Sequence, residues 1–145
     1  MGLVFESNYF AFGFYAALNA LIMLVLGILV VRARVSTRTD IGDGGKPEMA
    51  APLRAHANNT EYVPMALLLM WALASVPPTA SIWLMHGAGV TLTVGRICHA
   101  IGLSQSTGPG TLRLVGTMLT WISFIIGIVG VFYLILFAQP SLPAA

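Results

Sequence analysis

Four long apolar segments, separated by short polar ones, dominate the pattern of this chain. The first, Tyr9 to Val31, contains no charged residue, and Asn19 is its one strongly polar position. A membrane helix needs about 20 predominantly apolar residues. The predicted spans cover about residues 9–33, 52–76, 79–103 and 111–137, with a loop over about 34–51. The pattern therefore predicts an all-α fold, an integral membrane four-helix bundle in a single domain over residues 1–145.

Composition excludes an ordinary soluble domain. Hydrophobic residues make up 57% of the 145 and charged residues only 8%, whereas a soluble domain carries about 25% charge. The single cysteine, Cys98, excludes an internal disulfide and suggests no zinc or redox site. The first apolar run is longer than a signal-peptide core of about 7–15 residues, so it is interpreted as a mature span.

The basic residues are distributed unevenly. All seven lie in or beside the loops that join spans one to two and three to four: Arg32, Arg34, Arg38, Lys46, Arg54, Arg96 and Arg113. The positive-inside rule places these loops in the cytoplasm, and both termini on the other side, which is the periplasm in a bacterium. Arg34 and Arg38 are expected to meet lipid headgroups, whereas Arg32 either does the same or turns inward. The sequence "GDGGK" (42–46) predicts a tight glycine turn.

Polar side chains converge on one side of the second span. The spacing i, i+4, i+7, i+8 places four of them on one stripe: Arg54, Asn58, Glu61 and Tyr62. His56 and Asn59 lie off this stripe, and His56 is expected to bond to a neighbouring helix or subunit rather than to the substrate. The third span repeats the arrangement at the same depth with Arg96, His99 and Leu103. These stripes predict a polar layer at the cytoplasmic end of the bundle.

This polar layer has two interpretations. Arg113 begins the fourth span, so three helices bring cations to one acid, Glu61. Glu61 either pairs with Arg54 or Arg96 to tie helices together, or the layer binds a ligand. Excess positive charge in a low-dielectric site is costly unless an anion fills it. The composition of the layer favours a ligand with more than one carboxylate or phosphate, which arginine binds with forked donors, and with a cation or donor for Glu61 and Asn58.

Three motifs carry a family resemblance. "RAHANNTEYVP" (54–64), "GRICHAIG" (95–102) and "TLRLVGT" (111–117) resemble the superfamily of membrane-associated proteins in eicosanoid and glutathione metabolism. That family includes the microsomal glutathione transferases, leukotriene C synthase and microsomal prostaglandin E synthase. The resemblance implies a homotrimer that binds glutathione, as a co-substrate, between subunits near the cytoplasmic face. Glutathione has two carboxylates, an ammonium and a thiol, which match the ligand chemistry inferred from the charges.

The resemblance also implies roles for individual residues. The expected glutathione-binding residues are Arg32, Arg54, Asn58, Glu61, Tyr62, Arg96 and His99. Glu61 is expected to receive the ammonium, and Arg113 is the expected catalytic residue because the family places a thiolate-holding arginine there. Leu103 departs from several eukaryotic members, which carry a tyrosine at this position. The absence of that hydroxyl leaves Arg113 as the main candidate for the sulfur.

The resulting prediction is a glutathione transferase of the bacterial inner membrane, with glutathione-dependent peroxidase activity as a second use of the same thiolate. Its partners are glutathione, an apolar electrophile or lipid hydroperoxide from the bilayer, membrane lipid and other copies of itself. No metal and no nucleic acid are expected. A non-catalytic lipid-binding or scaffold protein of the same fold is the alternative. A small multidrug transporter is a third reading, but the arginines around Glu61 argue against a proton-coupled acid.

Two residues outside the layer also carry an expectation. His86, beside Gly87 and Gly89, is either a proton relay or, as we favour, a hydrogen-bonded histidine at a close helix contact. Cys98 points away from the stripe of the third span and is expected to be an inert, buried thiol.

Overall fold

Four helices account for nearly all of the residues that the structure describes. The computed structural model describes residues 6–77, 80–105 and 110–138. The helices are α1 (Asn8–Thr37), α2 (Pro47–Ser75), α3 (Ile82–Gln105) and α4 (Thr111–Phe137). No β-strand occurs in these described ranges. The predicted all-α, four-helix bundle is therefore confirmed.

The four helices occupy two kinds of position in the bundle. α2 and α3 pack against each other and each against both α1 and α4, which lie on opposite sides. The larger core cluster lies between the helices and includes Met70, Leu73, Met85 and Leu92, each at most 1% exposed. Of the described helices, α1 and α4 are long and apolar enough by composition to cross a membrane. α2 and α3 contain more polar residues because they face other helices on more sides.

Two of the helices, α1 and α2, extend several residues beyond the predicted spans on the side of the loop that joins them. α1 continues to Thr37, and α2 starts at Pro47, so the loop predicted over 34–51 is non-helical only from 38 to 46. The spacing of apolar residues measures the hydrocarbon thickness, whereas the helices continue past it. Pro52, taken as the start of the second span, instead lies inside α2. α3 begins at Ile82 rather than 79, and α4 coincides with residues 111–137. Which residues lie within the bilayer stays a prediction.

The loop between α1 and α2 is closed by its own hydrogen bonds. Its glycines have left-handed backbone angles, with φ of 67° at Gly42, 59° at Gly44 and 69° at Gly45, which confirms the predicted glycine turn. Nη1 of Arg34 donates to the carbonyls of Thr39 (3.2 Å), Asp40 (2.9 Å) and Gly42 (3.3 Å). Nη1 of Arg34 therefore caps the loop, and contact of this residue with lipid headgroups stays a prediction. Arg38 is exposed at the C-terminus of α1.

α4 has its small residues inside and its large ones outside. Its buried positions are Gly116, Thr120, Ser123, Gly127, Gly130 and Leu134. The hydroxyl of Ser123 donates to the carbonyl of Ala88 on α3 over 2.8 Å. Trp121, Ile125 and Phe132 point outward and are 48–60% exposed in the single chain. This distribution suits a helix whose inner face approaches another backbone and whose outer face meets lipid.

Candidate functional site

Arg96 of α3 is the centre of the polar layer. It is only 2% exposed. Its Nη1 donates to Oδ1 of Asn58 over 2.9 Å and to the carbonyl of Asn58 over 3.4 Å. Its guanidinium carbon lies 5.5 Å from the ring centroid of Tyr62, in a cation–π arrangement. Two members of the α2 stripe therefore hold the buried cation of α3.

The groups around Arg96 are neutral. No carboxylate pairs with it among the residues that the structure describes, and Glu61 makes neither of the two ion pairs considered from the sequence. A buried cation without a counter-charge is expensive, and aromatic faces and amide dipoles offset only part of the desolvation. The arrangement is that of a site able to receive an anion.

Three glycines bring α4 into backbone contact with α3 beside this cation. A methyl group at Gly116 would lie 2.5 Å from the amide nitrogen of His99, and one at Gly102 would lie 2.6 Å from the amide nitrogen of Arg113. A methyl group at Gly95 would also lie close to the backbone of α4, at 3.0 Å. His99 is 5% exposed and follows Arg96 by three residues, which is about one turn of α3. The glycine contacts thus place Arg113 at the predicted layer.

Arg113 also lines an open groove on the outer side of α4. The groove has a volume of about 720 Å³ and is lined by residues from the first three turns of the helix, among them Thr117, Met118 and Trp121. The hydroxyl of Thr117 donates to the carbonyl of Arg113 over 2.9 Å. Arg113 is half-buried, and it makes a further interaction within the protein. A cationic group therefore lies at one end of a groove whose other lining residues include the apolar side chains of Leu114, Met118 and Trp121.

The remaining members of the α2 stripe face outward. Arg54 and Glu61 are both exposed in the single chain, and the described residues hold no ion pair that involves Glu61. Asn58 and Tyr62 are half-buried. The stripe therefore has two residues that face the neighbouring helix and two that face away from the bundle. One chain alone brings Asn58, Tyr62, Arg96, His99 and Arg113 together and leaves two charged residues at the edge: Arg54 and Glu61.

Arg32 lies on a different side of the molecule. It lines an open groove of about 640 Å³ between α1 and α2, together with His56 and Gly27. A methyl group at Gly27 would lie 3.8 Å from Nε2 of His56, so His56 packs against α1, whereas its predicted bond to a neighbouring helix or subunit stays a prediction. Arg54 and His56 are two residues apart, which separates their directions by about 160° around α2. Within one chain, Arg32 is therefore not part of the cluster around Arg96.

A second polar contact lies between α1 and α3, away from the arginines. The hydroxyl of Tyr15 lies 2.9 Å from Nδ1 of His86, and Nδ2 of Asn19 donates to Oγ1 of Thr93 over 3.0 Å. The ring of Tyr15 also packs directly against Gly89. The prediction that His86 is hydrogen-bonded at a close helix contact is confirmed, and Asn19, the polar interruption of the first span, serves the same interface.

Sequence reasoning set Asn59 aside because it is off the stripe. The structure buries it, at 2% exposed, and gives its side-chain amide no hydrogen-bond partner within the described part of the chain. The signal was present, because a polar residue at a position flanked one turn away by Ala55 and Val63 faces the interior. Cys98 is half-buried rather than buried. In residues 6–77, 80–105 and 110–138, no three His, Cys, Asp or Glu side chains are grouped as metal ligands would be.

Comparisons with known proteins give the family. The model of the MAPEG family matches residues 12–133. The "Inner membrane protein YecN" of Escherichia coli K12 is 39% identical over 88 residues, which are 61% of this chain and 66% of that protein, just under two thirds of its length. A YecN from E. coli O6:H1 gives the same values. No solved structure matches. Because the family model covers most of the sequence, the chain belongs to the MAPEG family of membrane proteins.

Proposed function

We propose that this protein is a membrane-bound glutathione transferase of the bacterial inner membrane. It joins the thiolate of glutathione to an apolar electrophile from the bilayer, and it reduces a lipid hydroperoxide by the same thiolate. The observation that carries the proposal is the buried guanidinium of Arg96, held by the neutral side chains of Asn58 and Tyr62 and accompanied by His99. Such a cation favours an anionic ligand, and family membership supports glutathione as that ligand.

Each ionic group of glutathione has a counterpart in the site. Arg96 and Arg54 receive the two carboxylates, because guanidinium groups bind carboxylates with paired N–H donors. Glu61 receives the ammonium, and its exposure and lack of an ion pair within the described residues leave its oxygens available. Asn58 accepts a hydrogen bond from Arg96 through Oδ1 and keeps its amide N–H donors for the ligand.

Chemistry takes place at Arg113. The thiolate is the nucleophile, and a nearby cation favours its formation. Guanidinium groups stay charged at all physiological pH values, so Arg113 stabilises the sulfur anion without exchanging a proton. The groove along α4 then guides an apolar electrophile to this end of the helix, because Met118 and Trp121 line it and face lipid. The thiolate attacks the electrophilic carbon, a carbon–sulfur bond forms, and the leaving group departs with its electron pair.

The complete site is formed between subunits of a homotrimer. Arg54 and Glu61 lie on one flank of α2, whereas Arg32 and His56 lie on the other flank, about 160° away around the helix. A single chain cannot direct both flanks at one ligand. Neighbouring copies in a closed ring place one flank of each chain against the other flank of the next, since heterologous contacts close into rings. The charges on both flanks lie toward the same end of the bundle, which the positive-inside rule places in the cytoplasm, with the termini in the periplasm.

The alternative function is a lipid-binding or scaffold role without chemistry. The apolar groove between α1 and α3, lined by residues such as Val25, Leu29 and Ile97, is the observation that favours it, since an acyl chain fits such a surface. A scaffold, however, has no use for a buried arginine held by neutral groups.

An activity assay tests the proposal. Purified protein in detergent is mixed with glutathione and either an aryl halide or an organic hydroperoxide, and product is followed by absorbance. We expect turnover for wild type and for Arg38→Gln, which removes an exposed arginine from the loop, and strongly reduced turnover for Arg113→Ala. Binding of glutathione without turnover of either substrate class would instead support the scaffold role.

A further inference from the structure

Several buried side chains have polar atoms without a hydrogen-bond partner in the described residues, and two of them, Asn59 and Arg96, lie on the neighbouring helices α2 and α3. Asn59 is 2% exposed, and neither Nδ2 nor Oδ1 has a partner among the described residues. Nε of Arg96, which is also 2% exposed, has none either. Buried side-chain polar atoms in native proteins nearly always have a partner, which is either protein or ordered water. Three such atoms on two neighbouring helices point to a common partner.

The helix register places these groups at one level. α1 and α3 run in parallel and meet at Asn19 and Thr93, while α1 and α2 are antiparallel and meet at Gly27 and His56. Residue 23 of α1 lies four residues after Asn19 and four before Gly27. Its level in the bundle therefore corresponds to residue 97 on the parallel helix α3 and to residue 60 on the antiparallel helix α2. Asn59 and Arg96 each differ from these positions by one residue. Arg96 also reaches the carbonyl of Asn58, directly before Asn59.

The chemistry of the three atoms restricts what joins them. Nε–H of Arg96 and Nδ2 of Asn59 need an acceptor, whereas Oδ1 of Asn59 needs a donor. An anion accepts but leaves Oδ1 unpaired, and a metal cation binds Oδ1 but is repelled by the guanidinium. Rotating the amide by 180° exchanges its nitrogen and oxygen without changing this requirement. Water both donates and accepts, and a buried water typically makes about three hydrogen bonds to otherwise unsatisfied groups.

We propose that a buried water molecule binds between Asn59 and Arg96 and fixes the orientation of the guanidinium. Nη1 is held by Asn58 and Nε by the water, so the plane of the group is defined at two points, and its remaining N–H donors are directed away from both. Asn59 is then a positioning residue that acts through Arg96 and does not touch the ligand. The water itself follows from the buried groups alone, whereas its effect on glutathione binding rests on the proposed function.

The water is tested directly by an experimental structure at a resolution that shows ordered solvent. We expect density within hydrogen-bond distance of the Asn59 amide and of Nε of Arg96 in the full-length protein without glutathione. A dry contact, or a direct hydrogen bond between the Asn59 amide and Nε, would overturn the proposal. This test needs no ligand, so it decides the water even where glutathione proves not to bind.

The positioning role is tested by Asn59→Leu, which keeps the size of the side chain and removes its polar atoms. We expect a lower melting temperature and a glutathione Kd about tenfold weaker, since an orienting hydrogen bond to a charged group is lost. Asn19→Leu is the matched control. It removes a buried amide whose Nδ2 donates to Thr93, one turn away from Arg96 on α3, and whose Oδ1, like that of Asn59, has no partner in the described residues. Because this amide does not contact Arg96, its loss should lower the melting temperature and leave the glutathione Kd unchanged.

A smaller polar residue at position 59 distinguishes the effect of the bound water from the effect of side-chain size. Asn59→Ser has room for the water and a hydroxyl to bind it, so its glutathione Kd should return close to the wild-type value, and it serves equally where Asn59→Leu does not fold. A higher melting temperature with unchanged affinity in Asn59→Leu would show that the amide binds no water and does not orient Arg96. Equal weakening by Leu and Ser would show that the amide itself, rather than water, orients Arg96. Either result overturns the proposal, whereas a wild type that binds no glutathione overturns the proposed function instead.

Discussion

The two halves of this bundle use buried polar groups in different ways. In one half, Tyr15 and Asn19 of α1 meet His86 and Thr93 of α3, and the hydrogen bonds join neutral side chains of two helices. In the other half, Arg96 carries a full charge and is surrounded by neutral partners. The first arrangement joins α1 to α3 within one chain and stabilises packing, and only Oδ1 of Asn19 among its amide atoms has no partner in the described residues. The second lacks a counter-charge among the described residues, which is what a site for an anionic ligand requires.

Removal of buried polar groups should therefore have different effects in the two halves of the bundle. Polar groups that serve packing should lower stability when removed and leave ligand affinity unchanged. Polar groups that serve binding should lower affinity when removed, and for the buried cation stability should rise, because a desolvated charge is replaced by an apolar side chain.

The largest effect is expected for Arg96→Leu. Loss of a buried, hydrogen-bonded charge that pairs with a ligand costs about 2–5 kcal/mol of binding free energy, so glutathione affinity should nearly vanish. The melting temperature without glutathione should rise, since the mutant no longer buries a cation without a counter-charge. Calorimetric titration and thermal unfolding measure both quantities on the same sample. A lower melting temperature with intact affinity would make Arg96 a packing residue like Tyr15.

A smaller loss is expected for Glu61→Gln. Hydrogen bonds to charged groups contribute about 1.5–3 kcal/mol, so glutathione binding should weaken by that amount while the exposed side chain leaves the fold intact. Glutathione acetylated at its amine is the control ligand. Wild type should lose affinity for it, and the mutant should bind both ligands almost equally. Parallel losses in the two proteins would assign Glu61 to architecture.

Arg113→Ala should change the chemistry more than the binding. A free thiol has a pKa of about 8.5, and a nearby cation lowers the thiol pKa of bound glutathione, so removing the cation raises it. Each pKa unit corresponds to about 1.4 kcal/mol and, near neutrality, to a roughly tenfold loss of thiolate. The pH–rate profile should shift to higher pH, with affinity within a few-fold of wild type. Thiolate absorbance against pH checks this, and coincident titrations would transfer the role to His99 or Arg32.

The smallest effect is expected for Tyr15→Phe, in the half that serves packing. The loss of its 2.9 Å hydrogen bond with His86 should reduce the free energy of unfolding by about 0.5–1.5 kcal/mol. Glutathione affinity and turnover should stay at wild-type values, because the contact lies away from the arginines. Reduced turnover at unchanged stability would show that the two halves communicate, and the comparison would fail.

Periodicity was sufficient to predict some of these features and insufficient for others. The positions of Arg54, Asn58, Glu61 and Tyr62 along α2 have a fixed angular relation, so the stripe followed from spacing alone. The contacts of Asn58 and Tyr62 with Arg96 agree with the predicted convergence of α2 and α3. The predicted helix ends were less accurate, because they were placed where the apolar residues end, whereas α1 and α2 continue into the polar sequence beyond them.

Features that depend on packing between helices could not be read from the sequence. Arg32 and His56 share a groove because α1 packs on the flank of α2 opposite to Arg54, and no spacing along either helix specifies that flank. Arg34 caps the loop through three carbonyls whose positions follow from left-handed glycines rather than from any period. Asn59 was missed because only the polar residues that share one face of α2 were interpreted as a site, whereas Asn59 lies on the face that packs in the core.

The unequal hydropathy of the four helices has a consequence for biosynthesis. α1 and α4 are apolar enough to partition into hydrocarbon by composition, whereas the α2–α3 hairpin, which is synthesised between them, contains Arg54, Glu61 and Arg96. Charged residues near a helix centre oppose insertion at the translocon. The hairpin is therefore expected to enter the bilayer together with its neighbours rather than alone, so that the charged layer is assembled in the same step of synthesis in which the chain integrates into the membrane.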